Sequence, residues 1–370
     1  MRRYKTYING EWFEGTSGIV LRSVDPSNNK ELGEIVQNSK EDVEYAIESA
    51  SRSFYKTREW RDLDVQQRND KLLKIADMIE SEIDEIAKTE SMDNGKPLRE
   101  AQADVDDAVH CFRYYAGLIR TPSGQTYNVN SNFGNMHSYT VKEPVGVCAL
   151  ITPWNFPFLM SVWKIAPALA AGNSIIFKPS SETVLSALKL FEILDKCDLP
   201  KGTANLVIGS GSTVGNLLAE SKKVDMITFT GSTSVGQGIM RAAAGNVKKI
   251  GLELGGKSPN IVFADTDIDK TVEWVMMGIF LNQGEVCCAG SRLIIEKSIK
   301  DKFLKKLVER TDKLTLGAPL DNPDMGPLIS KKHMQDVLGY IEKGKAEGAK
   351  LLCGGYKCTA VSYTHLTLPT

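Results

Sequence analysis

Gly251-Leu-Glu-Leu-Gly-Gly-Lys-Ser-Pro-Asn260 opens, and Phe280-Leu-Asn-Gln-Gly-Glu-Val-Cys-Cys-Ala-Gly-Ser-Arg292 closes, the stretch around which this chain is organised. Glu253 lies in a glycine-rich segment, where missing Cβ atoms let a backbone or a ligand come close. Cys287 lies on a polar, glycine-flanked segment that follows an apolar helix. A thiol and a carboxylate presented this way fit a nucleophile and a general base sharing one site. Singly, each has a blander explanation, a buried small hydrophobe and a turn residue. The rest of the chain decides.

Upstream, from Val145, strand and helix alternate. Residues 145–151 are a continuous apolar run, as a strand buried on both faces requires. A helix follows through Trp163 and Ala170, then a strand over 174–178, a helix over 182–197 and a strand over 205–208. A short helix after Gly215, a strand over 225–229 and a helix to Ala244 complete the series. Such βα units with short glycine-rich turns imply an α/β fold built on a doubly wound parallel sheet, with a ligand at the strands' carboxyl ends. A second βα series begins near Asn260 and includes a strand over 292–295.

The first third reads as helical scaffold. Asn9-Gly10 marks a hairpin over 7–13. A helix starts at Ser39, with Asp42 completing a capping box, and runs towards Lys56. One long helix carries Leu72, Ile75, Ile79, Ile83 and Ile86 and stops at Asn94-Gly95. A third spans 98–120. Residues 121–143 then change character and predict a projecting hairpin.

The 370 residues imply two or three domains. Hydrophobic and charged contents of 42% and 25% suit a soluble globular protein. A net charge of -1 gives no electrostatic reason to expect nucleic acid or an anionic membrane as partner. The most apolar window, Phe158 to Phe177, is broken by Lys164, Pro167, Gly172 and Asn173, so no membrane span is expected. Seven cysteines without a metal-type pair predict reduced thiols in the cytoplasm and no metal site.

Three further segments carry chemistry. Gly209–Gly215 is glycine-rich but one residue longer than a dinucleotide fingerprint. Residues 230–236 follow a strand and open a helix, which suits a pyrophosphate. Lys178, at a strand's carboxyl end, is placed to meet a ribose or a phosphate. In Thr152-Pro-Trp-Asn-Phe-Pro157, Asn155 is either a rigid amide donor for an oxyanion or a turn-forming residue.

In order and spacing, Pro153-Trp-Asn-Phe-Pro157, Lys178-Pro-Ser180, Phe229-Thr-Gly-Ser232, Glu253-Leu-Gly-Gly-Lys257 and Gly284-Glu-Val-Cys287 resemble the aldehyde dehydrogenase superfamily. Within it they are similar to betaine-aldehyde-dehydrogenase-like members, from Tyr7 to Ala360. The resemblance implies an aldehyde dehydrogenase-like fold: a cofactor domain (1–122 and 144–252), an oligomerisation hairpin (123–143) and a catalytic α/β domain (253–360). It implies that Cys287 attacks an aldehyde, Asn155 holds the oxyanion, Glu253 activates water against the thioester and Lys164 assists proton movement. NAD would be held by Thr152, Trp154, Lys178, Ser181, Gly211, Gly231, Ser232 and Leu254. Phe156, Met160, Trp163 and Cys288 would wall the aldehyde's path. The expected partners are a small-molecule aldehyde and further copies in a homodimer or homotetramer. A rival reading is a non-catalytic nucleotide-binding or structural homologue, or an inactive truncated product.

Three departures matter. Ser181 stands where NAD-preferring relatives often carry Glu, which leaves NADP open. Glu285 stands where many carry Gln and would raise the pKa of Cys287 if the two face each other. Cys288 directly follows the nucleophile and is expected to be a bystander to the thiol chemistry. Residues 361–370 resemble an in-frame translated sequencing adapter, so a cut near Ala360 and loss of a later Glu-x-Phe-Gly-Pro segment are expected.

Overall fold

The computed structural model describes residues 2–358 and 364–367, the side chains of Ser131 and of 364–367 apart. The chain opens with β1 (Arg3–Tyr4), β2 (Thr6–Ile8), β3 (Glu11–Phe13), β4 (Val20–Val24) and β5 (Glu31–Val36). Asn9 and Gly10, with φ of 56° and 79°, turn β2 into β3 as the Asn-Gly pair predicts. α1 (Lys40–Arg52) starts at Ser39, whose Oγ accepts from the Asp42 N–H while the Asp42 carboxylate accepts from the Ser39 N–H. It continues as a wider turn over Ser53–Thr57.

The single long helix expected up to Asn94 is two, α2 (Val65–Ser81) and α3 (Ile83–Asn94). They break at Glu82, whose backbone leaves helical geometry (φ −111°, ψ 16°) although no proline or glycine marks the spot. The apolar spacing runs on through the break, which is why it read as one helix. α4 (Leu98–Ile119) follows. β6 (Thr126–Ser131) and β7 (Gly134–Tyr139) form the predicted hairpin, with β7 exposed throughout.

The βα series consists of β8 (Val147–Ile151), α5 (Pro157–Ala170), β9 (Ser174–Lys178), α6 (Leu185–Lys196), β10 (Ala204–Leu206) and α7 (Asn216–Glu220), then β11 (Met226–Gly231), α8 (Thr233–Ala243) and β12 (Lys249–Leu254). Its sheet has the order β12-β11-β8-β9-β10-β2-β3; the first five strands are parallel, β2 is antiparallel to β10 and β3 is antiparallel to β2. The chain starts in the middle at β8, winds outward through β9 and β10, then returns to β11 on the other side. That reversal opens a crevice at the carboxyl ends of β8 and β11, where such sheets take their ligands.

Strand alternation distributes the core. Cys148 and Leu150 of β8 join the cluster under α2–α6, whereas Val147, Ala149 and Ile151 join the one under α1 and α8. Beyond the sheet, β13 (Pro259–Val262) pairs in parallel with β14 (Arg292–Ile295). α9 (Ile268–Phe280) and α10 (Lys300–Thr311) pack there around Val272, Met276, Phe280 and Phe303. α11 (Lys331–Ala346) and β15 (Gly354–Cys358) follow; β15 pairs with β16 (Thr364–Thr367). Apart from β16, the expected tail over 361–370 lies outside the described residues. Among the described residues no helix is long and apolar enough to cross a membrane.

Candidate active site

Register fixes one wall of the site. Glu253 on β12 stands opposite Thr230 on β11. Its neighbours Leu252 and Leu254 turn to the α8 side of the sheet, so alternation sends the Glu253 side chain to the other face, towards α5. Thr228 and Thr230 share that face. Lys164 on α5 donates from Nζ to the Thr228 hydroxyl at 3.0 Å. Burial pulls its pKa down to about 8, the Glu253 carboxylate opposing the shift.

Cys287 closes the other side. A cleft of about 580 Å³ is lined by Cys287, Glu253, Lys164, Thr228, Thr230, Met160 and Trp163, among others. The glycine-rich stretch after Glu253 makes the close approach that its composition suggests. A Cβ added at Gly256 would lie 3.0 Å from the Cys287 carbonyl oxygen.

The loop that carries the thiol is strained. After α9 ends, Asn282, Gln283 and Gly284 take φ of 47°, 58° and 79° in succession, the first two without glycine's freedom. Each such non-glycine residue costs on the order of 1 kcal/mol or more and persists only where its surroundings enforce it. Here the Asn282 N–H donates to Glu100 Oε2 at 2.9 Å and its amide donates to the Asn155 carbonyl at 2.7 Å. Asn155 answers across the gap, with its side-chain amide donating to the Glu285 carbonyl at 2.7 Å. The turn holding Asn155 and the loop holding Cys287 thus clasp each other. The Asn155 amide is committed to this clasp, and Asn155 itself is not among the residues lining the cleft.

The conditional expectation for Glu285 fails. Its side chain points away from the thiol and accepts from the Ile329 N–H at 3.1 Å, with His333 Nε2 at 3.5 Å. Burial pushes its pKa up to about 8. The Cys287 thiol is also held above its ordinary value, but by burial first and by Cys288 next. Cys288 is exposed and does not line the cleft.

The proposed cofactor residues gather along the strands' carboxyl ends. Thr152 follows β8 beside Thr230, and both hydroxyls are buried with no hydrogen-bond partner among the described residues. Lys178, at the end of β9, is buried, donates to the Pro179 carbonyl at 3.0 Å, and has a pKa pulled down to about 8 by burial. Ser232 caps α8 after Gly231, accepting from the Val235 N–H, and Gly211 opens the turn before α7 behind its cap Ser210. Ser181 reaches the Gly209 carbonyl at 3.5 Å. Orphaned hydroxyls and two capped turns around one crevice fit a phosphate- and ribose-bearing ligand. Trp154 packs edge-on to His333, with ring centroids 5.1 Å apart. Leu254 faces α8 rather than the cleft.

Of the substrate residues, Met160 and Trp163 line the cleft, but Phe156 does not. Its ring lies under the ammonium of Lys96 at 4.2 Å. Sequence reasoning took the first third for scaffold and missed Glu90, Asn94, Lys96 and Glu100, all of which touch the two site turns or their neighbours. The only sign of them was an excess of acidic and amide residues around Asn94-Gly-Lys96.

Residues 12–367 match the aldehyde dehydrogenase family. A betaine aldehyde dehydrogenase of Bacillus subtilis (strain 168) is 46% identical over 350 residues, covering 94% of this chain and 71% of the relative. The mitochondrial aldehyde dehydrogenase of Homo sapiens is 41% identical, covering 94% and 68%. Among solved structures, a betaine aldehyde dehydrogenase of Staphylococcus aureus in complex with NAD+ superposes with a TM-score of 0.93 at 40% identity, covering 99% of this chain and 72% of that one. An NAD+ complex of a Bacillus cereus aldehyde dehydrogenase gives 0.94 at 36% identity, covering 100% and 74%.

Proposed function

From the premise that this chain belongs to the aldehyde dehydrogenase family, we propose that it oxidises an aldehyde to a carboxylic acid with NAD through a covalent intermediate on Cys287. The observation that carries this reading is the convergence of Cys287, Glu253 and Lys164 on one cleft from three separate elements.

Burial holds the Cys287 thiol up, so a base must take its proton before Sγ attacks the carbonyl carbon. Lys164, with its lowered pKa, and Glu253 are the groups placed for that transfer. The Asn155 amide would donate to the oxygen that becomes negative as the S–C bond forms. Bound NAD supplies the hydride acceptor, and the carbon left on Cys287 is then a thioester. Glu253 removes a proton from water as the water attacks that carbon; the C–S bond breaks, the acid leaves and the thiol is restored. Thr152, Lys178, Thr230, Gly231, Ser232 and Gly211 would hold the cofactor, its phosphates lying at the capped turns. Trp154 and the backbone of Leu254 would flank it. Ser181 places no carboxylate against a 2′-phosphate, so NADP is admitted as well.

Betaine aldehyde is the first substrate to try, because Trp163 lines the cleft half exposed and an indole face attracts a quaternary ammonium. The division into a cofactor domain, a catalytic domain from 253 and a hairpin over 123–143 follows the same reading. Tyr127, Val129, Met136 and Tyr139 are exposed on that hairpin, which suits packing on a second copy in a cytoplasmic homodimer or homotetramer.

The test uses the full natural chain with a panel of aldehydes and either NAD or NADP, followed by reduced-cofactor absorbance. Turnover that falls by ~10³-fold or more in Cys287→Ala is the expected outcome. Cofactor binding without turnover of any aldehyde would favour a non-catalytic homologue.

A further inference from the structure

We propose that Lys96 is a positioning residue for the amide of Asn155. This rests on the reading of Asn155 as the oxyanion donor. Lys96 is fully buried, a costly place for an ammonium. Its Nζ lies 2.5 Å from Asp104 Oδ2 and 3.4 Å from Glu90 Oε1, and its charge sits 4.2 Å from the centre of the Phe156 ring.

The same few residues grip the turn on both sides of Asn155. Glu90 accepts from the Phe158 N–H at 3.2 Å, the Asn94 amide donates to the Trp154 carbonyl at 2.9 Å, and the Asn94 side-chain oxygen accepts from the Lys96 N–H at 3.2 Å. The Ser91 hydroxyl donates to the Lys96 carbonyl at 2.8 Å, so the cation's own backbone is fixed. Phe156 between these grips is not helical (φ −132°, ψ 68°), and no side-chain cap holds it there. Its ring packs against the core under α2–α6 and against the ammonium of Lys96, and its carbonyl accepts from the Met160 N–H at 2.9 Å. A shift of the backbone at Phe156 would carry the adjoining Asn155 amide off the Glu285 carbonyl and away from the thiol loop.

Removing Lys96 alone leaves Glu90 and Asp104 buried without their cation and costs stability, a loss that says nothing of catalysis. The specific contribution of Lys96 is therefore expected in geometry, and in kcat rather than KM. In the full natural chain, Asn155→Ala is expected to lower kcat by ~10²–10³-fold, as removal of an oxyanion donor does. Lys96→Met is expected to lower kcat by ~10–100-fold with KM changed less than ~3-fold. In the Asn155→Ala background the same substitution should cost less than ~2-fold, because the group it positions is gone. If Lys96→Met does not fold, Phe156→Leu takes its place; it removes the ring but leaves the ion pair, and the same loss of additivity is expected. Losses that multiply in the double variant would overturn the inference. A harmless Asn155→Ala would instead overturn the oxyanion reading itself, and the positioning role with it.

Discussion

The two walls of the cleft are held by different forces. On the sheet side, Thr228, Thr230 and Glu253 share a face because β11 and β12 are in parallel register, and the apolar residues between them are buried against α8. On the loop side, Cys287 follows three left-handed residues on a loop that donates to the Glu100 carboxylate and accepts from the Asn155 amide. The first wall rests on a ladder of backbone bonds and on burial, each contribution small and replaceable. The second rests on a handful of side-chain hydrogen bonds. A substitution of equal size should therefore cost far more on the loop than on the sheet.

Asn282→Ala should have the largest effect. It removes the amide bond to Asn155 and leaves a Cβ at φ 47°, so kcat should fall ~10²-fold and stability by about 2–3 kcal/mol. Asn282→Gly, which tolerates the backbone, should recover part of the stability but not the rate; equal recovery of both would mean that strain alone was at stake. Denaturant unfolding and steady-state kinetics read the two quantities.

Lys164→Met comes next. The ammonium cannot accept a proton below about pH 8, so wild-type activity should rise as pH climbs through that value. The variant should lose ~10-fold of kcat at pH 9 and the rising limb with it; a pH–rate profile unchanged in shape would remove Lys164 from the proton path.

On the sheet wall, Thr230→Val should weaken NAD binding by only ~5–10-fold, the worth of one hydrogen bond. Because the hydroxyl has no partner among the described residues, the melting temperature should stay level or rise. A large drop in melting temperature would erase the contrast between the walls.

Glu285→Gln is the mildest. The wild-type carboxyl has a pKa raised from 4.5 to about 8, so the folded form binds its proton more tightly than the unfolded chain does. Stability from this group is full below about pH 4.5 and is lost as pH rises through 8. The amide keeps an acceptor for the Ile329 N–H without that loss. The variant should match wild type at pH 5 and melt a few degrees higher at pH 9; parallel curves would mean that the carboxyl does not titrate there.

The difference between the walls also explains what could be read in advance. The β8–β11 series, the cap at Ser39 and the hairpin follow from apolar periodicity and short turn signals, which act over a few residues; β12, which carries Glu253, was not anticipated, because the glycines in and beside it made the segment read as a turn. The break at Glu82 had no such signal. Nor did the orientation of Phe156, set between the core under α2–α6 and a lysine about sixty positions earlier, or that of Glu285, bonded to Ile329 and His333. Cys287 and Glu253 were singled out because their motifs are distinctive, and both line the one cleft. Lys96 and Glu100 were missed because a charged residue on a helix ordinarily faces water, and only the assembled fold shows that these two do not.

The clasp between the two turns also bears on how the molecule comes together. Its bonds join Asn282 to Glu100 and Asn155, and Asn155 to Glu285, across 182, 127 and 130 residues of chain. Contacts of such separation form late, after local helices and neighbouring strands have already restricted the search. The thiol's surroundings would be among the last parts to order during folding, and among the first to loosen on warming. Such a protein loses its chemistry while most of its helices are still intact.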